Sequence, residues 1–132
     1  MSLSYNYDYL GNVSGGTGSK KFAAGWHYNG WRGYQTITSN ADIENNWVHI
    51  IATFDGSSKI LTLYKNGIQL ETPTTLNGAP IGSSSFGYFI AAGWEGGWGP
   101  YGDYSIVNMY NRALSASEVT INFDAVKSRF GF

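Results

Sequence analysis

The chain has 132 residues, close to one unit of the ~150 residues typical of a domain, so a single domain over 1–132 is expected. Eight Lys+Arg against nine Asp+Glu leave a net charge of −1, and no basic surface of the kind that neutralises nucleic-acid phosphates is expected. Zero Cys removes disulfides, thiolate metal sites and Cys nucleophiles. No apolar run approaches the ~18 residues of a membrane span, so no membrane insertion is expected. Residues 1–10 lack a basic stretch followed by an apolar one, so no signal peptide is expected there. The unusual feature is 18 Gly with 5 Trp, 10 Tyr and 7 Phe, in a chain only 13% charged.

The pattern is β almost throughout. Ser4 to Leu10 alternates Tyr5, Tyr7 and Tyr9 with Asn6 and Asp8, a strand period with one aromatic face. Gly11 to Lys20 reads as a loop; its glycines lack the Lys-Ser/Thr ending of a phosphate-binding loop. Phe22 to Thr38 reads as two short strands around Asn29-Gly30, a pair suited to a tight turn.

Trp47 to Thr72 predicts three antiparallel strands. Val48, Ile50, Ala52 and Phe54 share one face; His49, Ile51 and Thr53 share the other. Asp55 to Ser58 is a turn, Lys59 to Lys65 the next strand, Asn66-Gly67 a hairpin turn, and Ile68 to Glu71 the third strand. Pro73 to Ser85 reads as a polar connection, Phe86 to Trp94 as a strand, Glu95 to Asp103 as a loop, and Tyr104 to Tyr110 as the last strand.

Only the C-terminus looks helical. Ser115 and Glu118 form a capping box, with Leu114 and Val119 placed as its hydrophobic staple. Val119, Phe123 and Val126 make an apolar stripe, Lys127 and Arg129 fall in the last turn, and Gly131 ends the helix. The tetrapeptide Ala23-Ala24-Gly25-Trp26 recurs as Ala91-Ala92-Gly93-Trp94, each followed by a second Trp and a Tyr. Two related strands of one sheet explain the echo.

The stretch Asn46-Trp47-Val48-His49-Ile50, then Asp55-Gly56, then Leu63-Tyr64-Lys65-Asn66-Gly67 resembles the laminin-G-like, or concanavalin-A-like, jelly roll. The run Tyr110-Asn111-Arg112-Ala113-Leu114-Ser115 is similar to that family's final junction. Residues 122–131 resemble tails on such domains in structural proteins of tailed phages. The resemblance covers roughly 46–131. It implies an all-β antiparallel jelly-roll sandwich with one short C-terminal helix, either reduced or lacking strands at its N-terminal side. An exposed sheet edge would then need covering, and a homodimer is one way to cover it. Many members carry an acidic residue early in the last strand; Ser105 stands there, with Asp103 two residues before. No clear calcium motif is therefore found, which leaves calcium use open, and no other cofactor is expected. The catalytic Glu-x-Asp-x-x-Glu strand of related glycoside hydrolases has no counterpart among Glu44, Glu71, Glu95 and Glu118.

The chemistry rests on the aromatics. Sugars present apolar C–H faces that stack on Trp and Tyr, and hydroxyls that pair with Asn, Asp and Glu. Trp26, Asn29, Trp31, Arg32 and Tyr34 form one candidate set; Trp94, Glu95, Trp98, Tyr101 and Asp103 form another. The competing account is packing, because Trp and Tyr are common strand residues. Trp31 and Trp98 lie deepest in Gly-rich turns and favour a ligand role; Trp47 favours the core. Glu95 and Asp103 are the carboxylates best placed for hydrolysis, although loop carboxylates more often cap turns. His49 reads as structural, and His27 as a possible hydrogen-bond donor to a ligand. The expected function is a non-catalytic carbohydrate-binding or adhesion module, extracellular, cell-surface or virion-associated, whose partner is a glycan or glycoprotein surface. The alternative is a structural module that assembles with itself or with other virion proteins.

Overall fold

A computed structural model describes residues 2–6, 21–27, 31–36, 46–70, 72–75 and 103–132. Strands β1 (Ser2–Asn6), β2 (Lys21–His27) and β3 (Trp31–Thr36) form one antiparallel sheet in chain order. The two strands expected around Asn29-Gly30 are thus present as β2 and β3. Of the Tyr5, Tyr7 and Tyr9 alternation, only Tyr5 lies in β1; the other two fall outside the described residues.

The second sheet is built on β5 (Ile60–Lys65). It pairs with β4 (Ile50–Asp55) on one side. On the other it pairs with β6 (Ile68–Gln69) and, further along, with β7 (Thr74–Thr75). Pro73 explains the gap between β6 and β7, since it has no N–H for the ladder. The third strand is therefore shorter than Ile68 to Glu71, and β7 occupies what read as a polar connection.

Two turns fix this sheet. Asn66 (φ 51) and Gly67 (φ 79) both take positive φ, as the two-residue hairpin requires. Asn66 also clamps the start of β4: its Oδ1 accepts the His49 N–H at 2.9 Å, and its own N–H donates to the His49 carbonyl at 2.8 Å. In the other turn, Asp55 accepts from the Ser57 N–H (2.9 Å), the Ser57 hydroxyl (2.7 Å) and the Ser58 hydroxyl (2.6 Å). These donors hold the exposed Asp55 carboxyl down at about 2. Lys59, expected to open β5, instead closes this turn at φ 58.

Helix α1 (Ala116–Phe130) has the expected caps. The Ser115 hydroxyl accepts from the Glu118 N–H, and Glu118 Oε2 accepts from the Ser115 N–H at 2.8 Å. Arg112 adds a two-pronged ion pair to Glu118 at 2.6 and 2.8 Å. This guanidinium and the Ser115 N–H bring the Glu118 carboxyl down to about 2. Gly131 (φ 77) ends the helix, with the Phe132 N–H returning to the Lys127 carbonyl at 3.0 Å.

The second sheet buries both faces, as the alternation along β4 predicts. Leu61 and Leu63 are fully buried, with Ile50, Ala52, Phe54 and Leu70 packed against them. On the opposite face Tyr64 joins Leu114, Val119 and Ile51. Helix α1 runs over that face in the reverse sense to the strand. Ile51 shares a cluster with Val119, the His49 ring lies 5.8 Å from Phe123, and Trp47 lies 5.1 Å from Phe130. Two residues of strand advance about 6.7 Å and one helical turn about 5.4 Å, so Ile51 and His49 keep step with Val119 and Phe123, one turn apart, while Phe130, two turns further on, is met by Trp47 before the strand begins.

Two expectations are corrected. Trp47 is not in the core: it precedes β4, retains 44% exposure and rests on Phe130 at the helix end. Residues 104–110 form no strand, because none of the described strands supplies the ladder partner that their alternation needs. Tyr104, Ile106, Val107, Met109 and Tyr110 are exposed there. Met109 reaches 62%. The stretch is tied to the helix by Asn122 Nδ2, which donates to the Tyr110 hydroxyl at 3.0 Å.

Candidate functional site

The first candidate set lies on β2 and β3. Cα register pairs His27 with Trp31, Trp26 with Arg32, and Gly25 with Tyr34. The register skips Gly33, so a bulge sits there, where a glycine bends the strand at least cost. The bulge decides which residues share a face. Trp31 and Tyr34 are three apart and would fall on opposite faces of a regular strand. With Gly33 skipped, both occupy the face of His27 and Gly25. Trp26 and Arg32 occupy the other.

The five candidates are thus not one constellation. Trp31 and Tyr34 stand together; Trp26 and Arg32 stand together on the opposite face; Asn29 lies outside the described residues. This division is not legible in the sequence, because a single skipped residue leaves no mark in the hydrophobic pattern. The register also joins His27 to Trp31. Of the second candidate set, Trp94, Glu95, Trp98 and Tyr101 lie outside the described residues, as does the 86–94 strand. Asp103 is exposed at the head of the 103–110 stretch.

His49 has the structural setting expected of it. Its ring faces Phe123, its backbone is held by Asn66, and its Nδ1 is buried with no hydrogen-bond partner among the described residues. Burial pushes its pKa below the ordinary value. Among the described residues there is no group of three or more His, Asp or Glu able to hold a metal ion, and no helix long and apolar enough to cross a membrane.

The family profile of the concanavalin A-like lectin/glucanases superfamily matches residues 4–120. The chain belongs to this superfamily, whose fold is a β-sandwich. The match spans all of β2 and β3, so it reaches further toward the N-terminus than the 46–131 resemblance. It ends at Thr120, before the 122–131 tail. No curated protein matches the chain. Among solved structures, the chain is similar to a crystal structure of an S-layer domain-containing protein from Clostridium thermocellum. The identity is 25% and the TM-score 0.53, over 81% of this chain and 52% of that one. The chain therefore spans about half the length of that relative. A laminin-G-like domain with such a neighbour fits a surface or binding module.

Proposed function

We propose that the chain is a non-catalytic carbohydrate-binding module of an extracellular or cell-surface protein. The observation that carries this reading is the β2–β3 pairing. It brings the positions of Trp31 and Tyr34 to one face, and those of Trp26 and Arg32 to the other, on adjacent strands of a domain from a superfamily of lectins and glucanases. Indole and phenol rings offer stacking planes for sugar C–H faces, and strand pairing fixes their spacing. The second aromatic set, Trp94, Trp98 and Tyr101 with Glu95 and Asp103, repeats the same residue chemistry. No cofactor is needed for such binding. Glu95 and Asp103 act here as hydrogen-bond acceptors for hydroxyls rather than as a hydrolytic pair.

The experiment is a glycan-array screen of the purified chain with calcium and with chelator. Retention of at least one glycan class, unaffected by chelator and lost in Trp98→Ala at unchanged fold, supports the reading. A blank array, or release of reducing ends from a bound glycan, sinks it.

A second reading is favoured by one observation. The exposed apolar residues of 104–110 belong to a stretch joined through Tyr110 to Asn122 of α1, a helix that itself exposes Ile121, and exposed apolar residues of this kind suit surfaces that meet other proteins. In that reading the module assembles with further copies of itself, as a surface-layer or virion component does.

A further inference from the structure

Helix α1 is held to the second sheet unequally along its length. Near its start Val119 is fully buried with Leu114, Tyr64 and Ile51, and the Thr120 hydroxyl donates to the Gly67 carbonyl at 3.3 Å. Beyond Val119 no residue of the helix is buried. Its second half rests on rings: Phe123 meets the His49 ring, Phe132 meets Phe123 at 5.2 Å, and Phe130 meets the exposed Trp47. A segment with so few buried contacts can open while the rest stays folded.

His49 sits where the two halves meet. Its Nδ1 is buried without a hydrogen-bond partner among the described residues. A protonated ring carries an N–H on both nitrogens, so protonation puts an unpaired, charged donor there. The Phe123 face attracts a cation only weakly, and the desolvation of that donor outweighs it. The backbone cannot carry the ring away, because Asn66 holds both the N–H and the carbonyl of His49. The second half of the helix is the less firmly held partner.

The charges on the surrounding elements do not relieve this cost. On α1, Glu118 pairs with Arg112, Asp124 pairs with Lys127, and Arg129 lies over the Phe130 ring at 5.4 Å. On β4, Asp55 lies at the far end, bound to Ser57 and Ser58. On β5, Lys65 shares the rung of Ile50, on the face of Leu61 and Leu63, and Tyr64 is the titratable residue on the helix side. None of these carboxylates reaches the His49 Nδ1.

We propose that protonation of His49 releases the second half of α1, from Phe123 to Phe132, while Leu114 and Val119 keep its first turn docked. The helix is then a latch that acid opens. Burial lowers the His49 pKa, so the docked form is favoured in full above the ordinary value near 6.5 and loses that advantage as pH falls through the depressed value. The open form presents Trp47, His49, Phe123 and Phe130 to solvent together.

The test is amide hydrogen exchange of the whole chain at pH 7.5 and 5.5, read residue by residue by NMR and corrected for the intrinsic pH dependence of exchange. Amides of 123–130 are expected to exchange several-fold faster at the lower pH, while those of Val119 and β5 keep their protection. His49→Gln, which cannot take up the proton, is expected to remove the difference. In the native chain the midpoint of release should match the titration of the His49 ring in the same spectra, a readout that does not depend on how well the variant folds. Unchanged exchange of 123–130, an equal loss of protection in β5, or release that persists in His49→Gln overturns the proposal.

Discussion

Phe123 closes over Gly67: a Cβ placed on Gly67 would lie 3.0 Å from Phe123 Cδ1 and 3.3 Å from its Cβ. The hairpin turn and the helix are thus fitted to each other across 56 residues of chain. Thr120 adds a hydrogen bond from its hydroxyl to the Gly67 carbonyl at 3.3 Å. Gly67 answers two demands at once, a left-handed backbone at φ 79 and the absence of a side chain under the Phe123 ring.

Gly67→Ala is therefore expected to destabilise the fold by about 1–3 kcal/mol. Gly131→Ala is the control, because Gly131 has nearly the same φ (77) but nothing within 4 Å of its missing Cβ. It should cost about 1 kcal/mol through backbone strain alone. Urea unfolding of both variants measures the difference, which isolates the Phe123 contact. Equal losses would mean that the ring moves aside freely.

The helix was legible in the sequence because its signals are local. Ser115, Glu118, Leu114 and Gly131 lie within one turn of the ends they define, and all four act as read. The face alternation of β4 was legible for the same reason. What the helix docks on was not, since the pairs Ile51 with Val119 and His49 with Phe123 span about 70 residues. The stripe also runs on to Phe130, which meets Trp47. A Trp at the head of a strand looks like core until the helix end that half-covers it is known. In the candidate site the residue types were legible and their grouping was not. The bulge could fall at any of several glycines, and only the register shows that Gly33 is skipped and that Trp31 joins Tyr34.

The half-buried His49, with its Nδ1 out of solvent, makes stability depend on pH. Its folded pKa is depressed, so the unfolded chain binds the proton more readily. Its contribution is complete above the ordinary value near 6.5 and is lost as pH falls from there through the folded value. Urea midpoints at pH 7.5 and 5.5 should fall with acidity in the native protein and fall less in His49→Gln. Asp55 and Glu118, both held near 2, act in a lower window. Their contribution is present above their ordinary values of 3.8 and 4.5 and is lost as pH falls toward 2. An undiminished slope in His49→Gln between pH 7.5 and 5.5 would show that another group carries it.

The cap of α1 predicts unequal effects for two neighbours. Ser115→Ala removes the acceptor of the Glu118 N–H and should cost about 1 kcal/mol. Arg112→Ala breaks an exposed ion pair, 2.6 Å at its shorter prong, and an exposed 3.2 Å hydrogen bond to the Ala113 carbonyl, and its loss should be smaller than that of Ser115→Ala and shrink at high salt. Thermal melts followed by circular dichroism at two salt concentrations separate the two. A salt-sensitive loss in Ser115→Ala would place its effect in the ion pair instead of the hydrogen bond.

The exposed apolar row gives the assembly reading its own test. Met109 is 62% exposed and Ile121 65% exposed, and the Asn122–Tyr110 hydrogen bond brings their segments together. Charges introduced at both positions face water in a monomer and should change its stability by no more than about 0.5 kcal/mol. In a dimer that buries this row, the same charges would be desolvated without partners, which costs far more. Sedimentation of the native chain across a concentration series should then show a rising mass, and Met109→Lys with Ile121→Lys should hold it at 14.4 kDa. A native chain already at that mass at every concentration would leave the row without a role in self-association.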